Sequence, residues 1–71
     1  MNVIGPNLRR IRETQHLTQD QLSARCNLEG WSISRGTLAK IEAQVRRVTD
    51  EEVALLAKVL RVEIGELFKG E

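Results

Sequence analysis

Leu17-Thr18-Gln19-Asp20-Gln21-Leu22-Ser23 and Ser34-Arg35-Gly36-Thr37-Leu38-Ala39-Lys40-Ile41-Glu42 are the two stretches whose reading decides this fold. Each opens on a hydroxyl residue, the type that accepts from the unpaired amides at a helix start. In the first, Leu17 precedes the Thr18 cap, Gln21 stands third after it and Leu22 fourth. That is a capping box combined with the apolar clasp that fixes how the chain enters a helix. In the second, Ile33 and Leu38 flank Ser34 in the same places, and Thr37 stands where a returning Glu or Gln would. The spacing predicts two short helices, close in sequence, joined by an Asn and a short loop.

The same punctuation recurs outward. Val48, Thr49, Glu52 and Val53 repeat the pattern and open a helix whose buried stripe is Val53, Leu56, Ala57 and Leu60. A first helix starts near Pro6, a residue suited to the first helical position, carries Leu8 and Ile11 inward and ends near His16. The second helix ends near Cys26, with Asn27 forming a left-handed turn. A last short helix spans roughly Ile64 to Phe68. The ends beyond Ile4 and Lys69 are expected to fray. With one Trp, one Phe and no Tyr, and no period-2 alternation, no strand is expected. The reading is all-α: a compact bundle of five short helices forming a single domain over residues 1–71.

A chain of 71 residues has a thin stability margin, in the single-digit kcal/mol range of small domains. Its one cysteine, Cys26, allows no disulfide, and no Cys/His cluster suggests zinc or any other metal. A lone thiol fits a reducing cytoplasm. The start lacks the pattern of a signal peptide, and no run approaches the ~18 apolar residues that cross a membrane. No acid pair, nucleophile–base set or phosphate-cradling glycine loop points to an enzyme, and no cofactor is implied. Net charge is only +1, but it is polarised. Residues 1–48 carry eight bases and four acids, a net of +4; residues 49–71 carry three bases and six acids, a net of −3. The positive end coincides with the two deciding stretches, which favours an anionic partner there.

These residues together resemble the phage-repressor/Cro-type (xenobiotic-response-element) helix-turn-helix family. The matching stretches are Leu8-Arg9-Arg10-Ile11-Arg12, Leu17-Thr18-Gln19 with Gln21-Leu22-Ser23, Ser34 with Leu38, Lys40-Ile41-Glu42, and Leu56-Ala57 through Leu60-Arg61-Val62 to Glu66-Leu67-Phe68. The chain departs from the family in three places. Asn27 replaces the usual turn glycine, about five extra residues (Leu28 to Ser32) follow it, and Gln44 replaces the glycine that commonly ends the recognition helix. The resemblance implies a lambda-repressor-like fold and binding to double-stranded DNA, with the helix after Ser34 in the major groove.

On that reading Arg35, Gly36, Thr37 and Lys40 are the base-contact candidates. The Arg fork matches the guanine edge, Thr37 suits a thymine methyl or a phosphate, and Gly36 lets the backbone come close. Thr18, Gln19, Ser34, Arg46 and Arg47 are the phosphate-contact candidates, because a helix start presents amides and positive potential. The resemblance implies the clamp at Gln19, the loop at Arg46 and Arg47, and a partly buried salt bridge between Arg12 and Glu42. Ile64, Leu67 and Phe68 are candidates for a two-fold contact. Each has a plainer reading as a solvated charge, a cap or a core residue. Cys26 is expected to be a buried structural thiol and His16 a turn residue. Trp31 either packs on the core or stands exposed to a protein partner.

Two functions follow. One is a sequence-specific DNA-binding transcriptional regulator, a repressor by preference, acting as a homodimer on a palindromic site. The other is a protein-interaction module, antitoxin-like, that keeps the fold with weak or no DNA binding.

Overall fold

The structure, a computed structural model, describes residues 2–69. Five helices follow one another: α1 (Gly5–Thr14), α2 (Gln19–Leu28), α3 (Arg35–Glu42), α4 (Asp50–Leu60) and α5 (Ile64–Phe68). No strand occurs among the described residues. Helix α3 packs on α1 and α2, α2 packs on α4, and α5 closes the bundle against α1 and α4.

The starts of α2 and α4 are set by two complete capping boxes. Thr18 Oγ1 accepts from Gln21 N at 3.1 Å while Thr18 N donates to Gln21 Oε1 at 2.8 Å. Thr49 and Glu52 repeat this at 3.1 and 3.0 Å. At α3, Ser34 Oγ accepts from Thr37 N at 3.1 Å. Each cap satisfies one of the amides a helix start leaves unpaired.

The stops of α1 to α4 share one device. A residue with positive φ follows each helix: His16 (φ 59), Gly30 (φ 92), Gln44 (φ 65) and Arg61 (φ 58). Its own amide bonds three residues back. The next amide (Leu17, Trp31, Val45 or Val62) bonds five residues back, at 3.0–3.1 Å. This is the Schellman closure, which occupies carbonyls that a helix end would leave open. The expected stop at Asn27 is therefore wrong. Asn27 is helical, α2 runs to Leu28, and Gly30 makes the turn. Glycine takes positive φ without strain, and at this stop the left-handed position falls on Gly30. The extra loop is correspondingly shorter, since Leu28 belongs to α2. Asn27 instead braces the loop, its Nδ2 lying 2.7 Å from Ser23 O and 3.0 Å from both Trp31 O and Ile33 O.

The core is Leu8, Leu22, Leu38, Ile41, Leu56, Leu60 and their neighbours, with Leu17, Trp31, Val48 and Val62 packed around it. Trp31 thus lies against the core. Cys26 is fully buried and its thiol is pushed up to about 11 by desolvation, so it stays protonated and inert. Leu67 is also fully buried. It is a core residue and not available for the two-fold contact, because α5 turns it inward against α1 and α4.

Side chains from one helix satisfy the end of another. Gln15 Nε2 donates to Leu60 O at 2.7 Å and Arg25 Nη1 to Val59 O at 3.3 Å, both at the end of α4. Asn7 Nδ2 donates to Leu67 O at 3.1 Å and to Lys69 O at the end of α5. The most extensive clip is Asn2. Its Oδ1 accepts from Ile4 N and Gly5 N at 3.1 and 2.8 Å, and its Nδ2 donates to Ile41 O and Arg46 O at 3.0 and 2.7 Å. Fraying before Ile4 is therefore wrong for Asn2, which is buried by contacts some forty residues away. The parts of that expectation falling on Met1, Gly70 and Glu71 lie outside the described residues.

Candidate nucleic-acid interface

Helix α3 buries Leu38 and Ile41; on the opposite stripe Gly36, Lys40 and Ala43 are exposed and Ala39 is half-buried. Spacing of three and four residues puts these on one face. Arg35 flanks the stripe. Arg35, Gly36 and Lys40 are all exposed, and neither Arg35 nor Lys40 has an ion-pair partner among the described residues. Thr37 is half-buried, and its hydroxyl accepts from Ser34 Oγ at 3.1 Å. Thr37 and Ser34 are thus largely occupied in the cap. Ala39 and Ala43 were missed as members of the outward face, although the 36-39-40-43 spacing marks them.

The angle of α3 is held from beneath. Arg12 Nε donates to Glu42 Oε2 at 2.7 Å and Arg12 Nη2 to Oε1 at 3.1 Å, with side chains only 10% and 4% exposed. Arg12 Nη1 donates to Leu17 O at 2.7 Å. Gln19 Nε2 reaches the same Glu42 Oε1 at 3.1 Å. One carboxylate of α3 thereby ties α1 and the start of α2 together, while Arg12 also holds the α1–α2 turn. Glu42 raises the Arg12 pKa through its hydrogen bond, so the guanidinium stays charged although buried. Gln19 is half-buried and tethered by this bond; Thr18 is exposed, but its hydroxyl and amide belong to the capping box.

At the far end of α3, Gln44 takes the left-handed conformation and its Nε2 donates to Asn2 O at 2.9 Å. Gly5 packs so closely here that a Cβ would lie 2.6 Å from Ile41 O and 2.7 Å from Glu42 O. In the following loop the two arginines part ways. Arg46 forms a fork on Glu52, Nη1 to Oε1 at 3.0 Å and Nη2 to Oε2 at 3.2 Å. That hydrogen bond holds the Glu52 carboxyl below its ordinary 4.5. Arg47 is exposed, with no ion pair among the described residues. Arg46 therefore braces the loop, and Arg47 is the cation left facing outward.

A family model described as helix-turn-helix matches residues 8–67, which is most of the chain. The chain belongs to the Cro/C1-type helix-turn-helix family, the xenobiotic-response-element family of DNA-binding regulators. No curated protein and no solved structure gives a significant match. The five-helix arrangement of this helix-turn-helix protein is consistent with the lambda-repressor-like fold, with α2 and α3 as the motif. The family is not typically enzymatic. No group of three potential metal-ligating side chains gathers among the described residues. No helix among them is long and apolar enough to cross a membrane.

Proposed function

We propose that the protein is a sequence-specific regulator, a repressor by preference, that binds a palindromic duplex site as a homodimer with α3 in the major groove. One observation carries this reading: α3 presents a low outward stripe flanked by Arg35 and carrying Lys40, both exposed, while Glu42 at the edge of the stripe is locked to Arg12. Small side chains let the helix backbone approach the groove floor, and two long cations then reach base edges or phosphates. Ser34, Thr18 and Gln19 lie at helix starts, where phosphates are favoured, and Arg47 lies in the loop beyond α3.

A homodimer is supported by apolar exposure at the other end of the chain. Ile64 and Phe68 lie four apart on one face of α5, 48% and 52% exposed, and Phe68 shares a shallow groove with Val3 and Val48. A single recognition helix covers only a few base pairs, so two half-sites about 34 Å apart are needed for useful specificity. The proposed reading makes residues 1–71 one DNA-binding unit. The Trp31 loop is the weaker basis for a protein partner, since Trp31 itself rests on the core.

Selection of bound duplexes from a random pool tests the proposal. The expected result is an inverted repeat whose half-sites carry a guanine at the position lost on Arg35→Ala. Enrichment of no sequence over the starting pool would overturn it.

A further inference from the structure

We infer that the hollow between the ends of α2 and α4 docks an acidic segment of a partner protein, one whose carboxylates flank an apolar side chain. The inference goes beyond the DNA reading and does not depend on it. The hollow has a volume of about 430 Å³ and is lined by Arg25, Leu28 and Glu29 at the end of α2 and by Lys58, Val59 and Arg61 at the end of α4. No residue of α3 and none of the DNA-contact candidates lines it, so a segment seated there competes for none of those side chains. Leu28 and Glu29 belong to the stretch by which this chain exceeds the family pattern, which makes the hollow a feature of this chain.

The cations here exceed what the fold consumes. Lys58 Nζ pairs with Glu29 Oε1 at 2.7 Å, and that pair links the two helix ends. Arg25 is exposed and gives the fold one long bond, Nη1 to Val59 O at 3.3 Å. The last four carbonyls of α4 are already occupied: Ala57 O and Lys58 O by the amides of Val62 and Arg61, Val59 O by Arg25 and Leu60 O by Gln15. The Arg61 guanidinium therefore has no helix end to cap, and it has no ion pair among the described residues. Arg61 also sits at φ 58, where the matching turn after α2 uses Gly30. The chain carries that strain at a position whose side chain makes no polar bond within the fold. Beside these cations Leu28 is 86% exposed. An exposed leucine alone needs no explanation. A leucine in a concavity with two guanidinium groups that lack ion pairs matches a segment offering both acid and apolar chemistry. Carboxylates meet the guanidinium forks with parallel hydrogen bonds, and the apolar residue between them covers Leu28. Glu29 at the rim repels a dense run of phosphates, and a nucleic-acid backbone offers Leu28 little apolar surface, so a protein segment fits better than a strand of nucleic acid.

A display library of random short peptides, selected on the full chain, tests the inference. The expected enrichment is in peptides that carry two or more Asp or Glu around a Leu, Ile or Phe. Arg61→Gly and Leu28→Ser are each expected to weaken the enriched peptide about tenfold, while Arg35→Ala leaves its affinity unchanged. Leu28→Ser is expected to keep the parent's melting temperature, and Arg61→Gly to exceed it, because glycine takes the left-handed turn without strain. Lost affinity in a protein at least as stable as the parent separates docking from a structural role. No acidic enrichment, or an enriched peptide that binds Arg61→Gly and Leu28→Ser as tightly as the parent, overturns the inference. Displacement of the peptide by a duplex of unrelated sequence also overturns it, because the hollow would then be a nucleic-acid surface. A parent protein that selects no duplex site but holds the acidic peptide loses the DNA reading and keeps this one.

Discussion

Arg12 and Glu42 are both nearly buried, and the pair is costly to break rather than a large net source of stability. Their fork is nearly dry, so removing one partner leaves a buried charge without its counter-ion. Glu42→Ala is expected to cost about 3 kcal/mol, read by denaturant titration, and to free Gln19 at the same time. A loss below about 1 kcal/mol would mean that water replaces the carboxylate. Glu52 offers a pH test. Its folded pKa lies below the unfolded value, so its contribution is fully present above about pH 4.5 and is lost as pH falls through the lower folded value. Glu52→Gln is expected to lower stability at pH 7 by up to about 1 kcal/mol while flattening the decline below pH 4.5. A parallel acid limb in parent and variant would rule Glu52 out as its source. At Gly5 two backbone carbonyls stand where a Cβ would go, so Gly5→Ala is expected to cost about 2 kcal/mol by forcing α1 off α3. The residue-level map was only partly legible in the sequence. The caps are local signals, and the Arg12–Glu42 pair came through the family resemblance. Asn2 escaped because its partners are some forty residues distant and no nearby pattern announces them.

Helices begin and end by different rules in this chain, and that explains which boundaries could be read. A start needs a hydroxyl and a returning amide or carboxylate within four residues, all written side by side at Thr18 and Thr49. A stop needs one residue to enter the left-handed region, and here three of four such residues are not glycine. What marks each stop is the apolar residue just after it, Leu17, Trp31 and Val62 packing on the core while Val45 stays exposed. Asn27 misled because its side chain is as suited to bracing a loop as to making a turn. The left-handed region costs an L-residue roughly 1–2 kcal/mol, partly offset in glycine by backbone entropy. Arg61→Gly is therefore expected to stabilise the protein by about 1 kcal/mol and raise its melting temperature by about 4–8 °C. A fall in melting temperature would show that the Arg61 side chain contributes more than its backbone strain costs. Gln44→Gly is expected to gain less, because it also loses the bond to Asn2 O.

The whole molecule measures 29 × 23 × 20 Å, so two copies fit side by side on one face of a duplex at a spacing of about 34 Å. The acidic C-terminal portion lies away from α3 in sequence, and Phe68 is exposed, where the proposed homodimer would place its two-fold contact. Phe68→Ser is expected to leave folding nearly intact and to weaken binding to a full inverted repeat at least tenfold more than binding to one half-site. Equal loss on both would place the dimer contact elsewhere. The Asn2 carboxamide has a further consequence for motion. Because one planar group holds the Ile4 and Gly5 amides at the start of α1, the Ile41 carbonyl of α3 and the Arg46 carbonyl of the loop beyond it, the start of α1 and the end of α3 loosen together. Hydrogen exchange at Ile4 and Gly5 should therefore keep pace with exchange at Val45, making these early residues a gauge of how firmly α3 is seated.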